Sequence, residues 1–402
     1  MHLLAKVQQR RLAGPVLAGL FLLSACGGSA APASTAAPAS GGSASAAASA
    51  DSPKAQLDKL IAQAKQEGEL DTATTTEQSP RVPQLKEAFN KMFGLNLNIN
   101  VALGDQTGKL AKMMTTLDAG GRPEFDTLTG SENDLIQLYD KGYLTKIENW
   151  DGLLKEVNSW VRNGTVKPED VSSVPFSGYT FTWSTRSKAL MYNTKLISAD
   201  QMPQKVTDMA DPRFKGKYTV PPWTDAWELG IQLYTDKQAW IQTIDQIGKD
   251  AIGVVDFSPA LSRLLLGEFP FAPMNTYYYW DVKAKDPSAP VGLSWFKDYT
   301  PFSKVMYIVP KGSKHPAAAA LWTLFMTTPE AEAAWQPAAH EENIIFGQSD
   351  QDKLARQSLA ESGSKVAQWY ANADTIEQLK WWSTPDGIAY RGQIKAAITQ
   401  RK

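Results

Sequence analysis

From Ala55 to Glu67 the apolar positions Leu57, Leu60, Ile61 and Ala64 recur at helical spacing, and Gly68 stands where such a helix should stop. Leu70–Thr76 is a short β-type run that ends in a polar turn, Glu77-Gln78-Ser79-Pro80, before a second helical face of Leu85, Ala88, Phe89 and Met92. Leu95–Val101 alternates apolar and polar residues as a half-buried strand does. A glycine-containing turn follows, then a helix with Leu110, Met113, Met114 and Leu117, a strand over Phe125–Thr129 and a helix over Leu135–Tyr143. This β-α-β-α-β succession predicts a mostly parallel sheet with helices on both faces. The middle of the chain repeats that logic, with strands over Lys188–Asn193 and Lys217–Val220, a helix over Ala226–Tyr234 and an extended run over Phe271–Thr276. A strand-like segment, Lys304–Pro310, precedes an Ala-rich helix over Ala317–Met326, and the remainder reads as helical. No fixed-period repeat or heptad pattern is seen.

The first fifty residues follow a different pattern. Lys6, Arg10 and Arg11 precede an apolar run, Leu12–Leu23, that is too short to span a bilayer, where a helix needs about 20 residues. Leu23-Ser24-Ala25-Cys26 then resembles a bacterial lipobox, whose cysteine is lipidated and becomes the mature N-terminus. The arginine pair sits in a context that fits twin-arginine export poorly, so Sec export is expected. Residues 27–52 are almost entirely Ala, Ser, Gly and Pro, a composition that cannot offset its ordering entropy and reads as a disordered tether. A flexible coil of that length has an end-to-end distance of roughly 25–30 Å.

Cys26 is the single cysteine, so the body has no disulfide, zinc-thiolate site or cysteine nucleophile. The chain carries a net charge of −1. Removing the three basic residues of the leader makes the body mildly acidic, which argues against a nucleic-acid partner. The remaining stretch is too long for one core and suits two lobes.

Five segments, in order, resemble the solute-binding proteins of ABC importers, in the branch that includes iron(III), thiamine and polyamine binders. They are Leu60-Ile61-Ala62-Gln63-Ala64-Lys65-Gln66-Glu67-Gly68 before the first strand, and Ala119-Gly120-Gly121-Arg122-Pro123-Glu124-Phe125-Asp126 into the third. The others are Leu190-Met191-Tyr192-Asn193-Thr194-Lys195-Leu196, Asp211-Pro212-Arg213-Phe214-Lys215-Gly216-Lys217, and the run Val309–Ala319 with His315-Pro316 before a helix. The resemblance implies an α/β, type II periplasmic-binding-protein fold: two α/β lobes, a ligand cleft and a hinge. It implies lobe 1 over residues 53–186 plus 300–345, and lobe 2 over 187–299 plus 346–402 with C-terminal helices. It further implies an exported, lipid-anchored monomer that hands a small ligand to an ABC permease, either at the outer face of the cytoplasmic membrane or in the periplasm.

In open α/β sheets ligands bind beyond the carboxyl ends of strands, and domain closure is a hinge motion. Four places follow strands and draw attention. The first is Asn275-Thr276-Tyr277-Tyr278-Tyr279-Trp280. By resemblance to iron(III) binders, Tyr277 and Tyr278 would supply paired phenolates to a hard trivalent cation; aromatic cleft lining is the plainer alternative. The second is Glu77-Gln78, where iron binders carry His or Tyr. The third is Ser131-Glu132, an imperfect match to a glutamate ligand. The fourth is Pro221-Pro222-Trp223-Thr224-Asp225-Ala226-Trp227-Glu228, in which Asp225 and Glu228 have capping-box spacing. Trp227 occupies a place where a related subclass has tyrosine, and it cannot ligate metal. Trp223 and Trp227 would suit a flat or cationic organic ligand, or belong to the core. Arg186 matches an arginine that holds an anion in some iron binders; an ordinary surface arginine is the alternative. With two expected ligands replaced, an organic cation, organic anion or polyamine-like solute is favoured over iron(III), and no cofactor is expected.

Enzymatic signals are sparse. Among three histidines, His340-Glu341-Glu342-Asn343-Ile344 has Ile where a zincin needs its second His. Gly104-Asp105-Gln106-Thr107-Gly108-Lys109-Leu110 is one residue short of a phosphate loop and has Leu at the magnesium position. No Gly-x-Ser-x-Gly elbow occurs. A hydrolase using a carboxylate pair and a purely structural lipoprotein remain the rival classes.

Overall fold

The structure is a computed structural model that describes residues 52–75, 80–339 and 341–399. Cys26, the tether up to Asp51, Glu77, Gln78 and His340 lie outside the described residues.

In chain order the body begins with α1 (Pro53–Glu67), β1 (Glu69–Thr74), α2 (Val82–Phe93), β2 (Asn98–Leu103), α3 (Gln106–Asp118), β3 (Thr127–Gly130) and α4 (Glu132–Asp140). The short helices α5 (Trp150–Val157), α6 (Ser159–Arg162) and α7 (Pro168–Val171) lead into a long strand, β4 (Thr180–Asn193). Then come β5 (Thr219–Val220), α8 (Asp225–Glu228), α9 (Lys237–Asp250), β6 (Gly253–Val254) and α10 (Phe257–Leu265). They are followed by β7 (Phe271–Asn275), α11 (Tyr277–Lys285), β8 (Val291–Ser294) and β9 (Thr300–Ile308). The last elements are α12 (Pro316–Phe325), α13 (Pro329–Ala339), α14 (Asp350–Ser362), β10 (Val366–Ala367), α15 (Ala373–Trp381) and α16 (Pro385–Thr399).

The helix starts and stops have local causes. Ser52 caps α1 by accepting from the Ala55 N–H at 3.2 Å, and Gly68 ends the helix in the left-handed region at φ 71°. The expected helix over 226–234 is instead the single turn of α8 followed by a tight 3-10 turn, Leu229–Gln232. Gly230 lies in that turn, and a Cβ there would come within 2.3 Å of the Trp240 ring, so the indole packs directly on its backbone.

The large sheet has the order β2-β1-β3-β9-β4-β7, with β10 on β9 and β8 on β4. Its β2-β1-β3 part is parallel, and so is the small β5–β6 pair. The expected mostly parallel sheet stops there, because β9 runs antiparallel to β3 and to β4, and β7 and β8 run antiparallel to β4. β4 explains the mixture. Its first half pairs with β9 over Thr180–Ser187, and its second half pairs with β7 over Lys188–Tyr192.

The two halves of β4 also enter different cores. Phe181 and Trp183 pack with Leu70, Phe89 and Trp322, whereas Leu190 and Tyr192 pack with Tyr218, Trp240 and Phe271. Each such fully buried side chain contributes roughly 1.5–3 kcal/mol. Between them Ser184, Thr185 and Ser187 are small, polar and buried, with a register shift just before Ser184. One strand therefore crosses between two α/β halves, which is the type II arrangement. Among the described residues, no helix is long and apolar enough to cross a membrane.

Candidate functional site

A cavity of about 960 Å³ opens where the carboxyl ends of β1 and β7 meet the first turns of α3, α4, α10 and α11. Its volume falls within the range of small-molecule sites, about 300–1,000 Å³. Each helix N-terminus brings a partial positive charge of roughly half a unit. In two of them an aspartate offsets it: Asp105 accepts from the Gly108 N–H at 3.2 Å, and Asp256 accepts from the Phe257 N–H at 2.7 Å. In α4 no side chain caps the helix, but Glu132 and Asp134 stand in its first turn. α11 has neither a side-chain cap nor an acidic residue in its first turn, so its partial charge faces the cavity without that offset.

The sequence-predicted residues divide into three groups. Tyr277, Tyr278, Arg186, Trp223, Thr224, Asp225 and Ser131 all line the cavity. The two tyrosine rings sit in the first turn of α11 with centroids 4.4 Å apart and planes 31° apart, and the Tyr278 hydroxyl lies 3.2 Å from Ser258 Oγ. Arg186 comes from the crossing strand, its Nη2 donating to the buried Glu341 Oε1 at 3.4 Å. Trp223, 44% exposed, donates its indole N–H to Asp256 at 3.1 Å, which joins an aromatic face to a carboxylate. Ser131 Oγ donates to Asp134 at 3.1 Å.

Trp227 and Glu132 do not line the cavity. Trp227 is 2% exposed in the core behind α8, and its carbonyl accepts from the Trp240 indole at 2.9 Å. Glu132 turns inward, where its carboxylate accepts the Lys304 backbone N–H at 2.7 Å. The Lys304 ammonium lies nearby, donating to Ser173 Oγ at 2.7 Å and sitting 4.3 Å over the Tyr370 ring. Burial pushes Glu132 up and Lys304 down, so each is driven toward its neutral form. Glu77 and Gln78 lie outside the described residues.

The capping box at Asp225–Glu228 is also replaced. Thr224 is the N-cap of α8, Asp225 is drawn into an ion pair with the buried Lys188, and Glu228 turns into the interior. There Arg391 of α16 donates to Glu228 at 2.8 Å and to Asp134 at 3.1 Å, while Asn133 and Thr224 donate to the same Glu228 carboxylate. Burial raises the Glu228 pKa against the pull of Arg391. Burial likewise works against the Arg391 charge, but Glu228 and Asp134 outweigh it and the guanidinium stays protonated.

Sequence reasoning missed several residues of this site. Gln106 and Thr107 line it from the stretch rejected as a phosphate loop; Asp105, φ 44°, makes the tight turn that starts α3 there. Asn275, at the end of β7, and Thr75, just after β1, also line it; their Oδ1 and Oγ1 atoms are buried with no hydrogen-bond partner among the described residues. The stretch read as a failed zincin motif supplies the backing of the site. Glu342 is buried and accepts from Thr276 Oγ1 and from the Trp280 indole at 2.9 Å, so it seats both ends of the first turn of α11. Burial pushes its pKa up to about 7.

Among the described residues, one group of three His, Cys, Asp or Glu side chains is close enough to share a metal: Asp71, Asp126 and His315. Asp126 is engaged as a clamp instead. It accepts from the backbone of Asp71, Lys314 and His315, from Ser313 Oγ at 2.9 Å, and contacts His315 Nδ1 at 2.7 Å. Two of the segments that carry the resemblance, the one ending at Asp126 and the His315-Pro316 turn, are thus joined for structural reasons.

A two-halved α/β body, a crossing strand and a cavity walled by helix N-termini define a periplasmic-binding protein of type II. Residues 84–338 match the bacterial extracellular solute-binding proteins, and the chain belongs to that family, whose members serve ABC importers from outside the cytoplasm. No curated protein matches the sequence. Solved structures of the same fold include iron-bound HitA from Pseudomonas aeruginosa, at 20% identity and TM-score 0.63, over 81% of this chain and 99% of that one. The Atu4243-GABA receptor is similar at 18% identity and TM-score 0.61, over 83% and 98%. A periplasmic thiamin binding protein follows at 14% identity and TM-score 0.60, over 83% and 96%.

Proposed function

We propose that this solute-binding protein carries one small organic molecule that bears an anionic group and a flat or cationic part. The observation that carries this reading is the division of the cavity. The uncapped start of α11, with no acidic residue in its first turn, and Arg186 favour an anion, by dipole and by charge-assisted hydrogen bonds. Trp223 with Asp256, beside Phe257 and Tyr278, favours a ring or a cation. GABA, for which the structurally similar Atu4243 receptor is named, carries one anionic and one cationic group and belongs to this chemical range. Iron(III) is the rival cargo, on the strength of Tyr277 and Tyr278; a cavity of about 960 Å³ is far larger than one ion requires.

On this reading the two lobes, residues 53–186 with 300–345 and 187–299 with 346–402, close about the Ser184–Ser187 stretch of β4. The ligand is released unchanged to the permease, with no cofactor and no catalysis. The carrier works as a monomer held by lipid on Cys26, and residues 27–52 give it reach. Thermal unfolding with 4-aminobutyrate, thiamine, spermidine or iron(III) citrate tests the cargo: a cognate solute at a hundredfold excess over Kd stabilises by about 2.7 kcal/mol. Stabilisation by iron citrate alone, with a visible tyrosinate band, would reverse the choice of cargo. Mass analysis of the native protein should show loss of residues 1–25 and acyl chains on Cys26; an unmodified Cys26 would refute the anchor.

A further inference from the structure

The helix α16 lies beyond residues 84–338, the stretch that matches the family, yet a whole face of it belongs to the cavity. Ile388, Arg391, Gly392, Lys395 and Thr399 follow helical spacing along that face. The opposite face, with Tyr390, Ile394 and Ile398, is buried in the core beside Trp382. The helix is therefore anchored from behind and presents a separate surface to the ligand space.

That surface has three properties. Arg391 is spent on Glu228 and Asp134 and holds the helix in place. Gly392 is exposed, and a Cβ placed on it would meet nothing within 4 Å, so space lies directly in front of the helix. On either side of that space stand Ile388, 47% exposed, and Lys395, exposed and in no ion pair with a described residue. A void flanked by an apolar group and an ammonium suits an extended organic group that ends in a negative charge.

We propose that α16 is the specificity-determining wall of the site, and that it takes the far, anionic end of an organic acid longer than the charged core of the cavity requires. Gly392 provides the room and Lys395 reads the terminal charge. This rests on the reading of the cavity as the ligand site.

The test compares compact probes, 4-aminobutyrate and L-glutamate, with two extended probes of similar length and opposite far-end charge, γ-glutamylglutamate and γ-glutamylputrescine. Calorimetry on the full chain should show tighter binding of γ-glutamylglutamate than of either compact probe. Gly392→Leu should lower the ratio of extended to compact affinity at least tenfold. Lys395→Glu should invert the preference between the two extended probes. Gln393→Leu, one residue along and outside the cavity lining, should leave all affinities unchanged, and unfolding temperature reports whether each variant folds. If compact probes bind and both α16 variants keep the wild-type ratios, α16 is no specificity wall and the cavity reading stands. If extended probes bind no better than compact ones, the proposal also falls. If none of the four binds, the organic-acid reading of the cargo falls, and this proposal with it.

Discussion

The wall built by α11, Arg186 and the Trp223 turn and the wall built by α16 face one cavity, yet they are made differently. The first is assembled from short local motifs, each next to the end of a strand, and its polar groups are seated by buried partners: Glu341 behind Arg186 and Glu342 behind Thr276 and Trp280. The second is one face of a helix whose other face is core, and among the described residues a single guanidinium bonds it to the rest of the site. A motif wall is rigid at its chemistry, where a helix face is rigid at its backbone and permissive at its tips. The difference suits a division of labour in which the first wall holds what all ligands share and the second selects among them.

The comparison breaks most visibly at Arg391. Arg391→Ala leaves Glu228 buried without its cation and detaches α16 from α4, so it should cost about 3 kcal/mol or more in chemical denaturation. Loss below about 1 kcal/mol would mean that α16 is held by its apolar face alone.

Next comes Glu342. Glu342→Ala removes two hydrogen bonds, leaves the half-buried Trp280 indole N–H without its acceptor and leaves Thr276 only the Ser187 carbonyl, for an expected cost of about 2 kcal/mol, which Glu342→Gln should largely restore. The pH dependence sharpens this. The folded carboxyl holds its proton to about pH 7 while the unfolded one releases it near 4.5, so the folded state binds more protons between those values. Wild-type stability should therefore decline as pH rises through that window, by more than in Glu342→Gln, as read by denaturation at pH 5 and pH 8. Equal slopes would show that the Glu342 carboxyl ionises in the fold as it does in the unfolded chain.

Smaller effects belong to the ligand face itself. Trp223→Ala and Tyr278→Phe should leave stability nearly unchanged and weaken the cognate ligand, the latter by about 0.5–1.5 kcal/mol if its hydroxyl bonds the cargo. The smallest is Gly392→Ala in the unliganded protein. With nothing to meet its methyl group it should raise stability by up to about 1 kcal/mol, through helix propensity alone. A loss there would show that the space before α16 is occupied in the free protein.

How legible each wall was in the sequence follows from how it is built. Tyr277, Tyr278, Trp223, Asp225 and Ser131 could be read because each lies in the turn after a strand or in the first turn of a helix, and that position already implies the cavity. Glu132 lies one residue beyond Ser131 and Trp227 two beyond Asp225, and at about 100° of turn per helical residue both side chains are carried away from the cavity and buried. The parallel start of the sheet was readable from local succession. The antiparallel β9 was not, since its pairing with β3 and β4 joins segments far apart in the chain. Arg391, Gly392 and Lys395 show no local signal at all: α16 has apolar residues toward the core and nothing in its pattern that says what its other face meets. Glu342 was visible only as part of a motif that failed.

The claim beneath all of this is that the cavity holds one organic solute per chain. Native mass spectrometry, after incubation with an equimolar mixture of 4-aminobutyrate, γ-glutamylglutamate, thiamine, spermidine and iron(III) citrate, tests it most directly. The account predicts a single organic adduct at one per chain, diminished in Trp223→Ala. An iron adduct, or a protein that keeps its bare mass throughout, would contradict it.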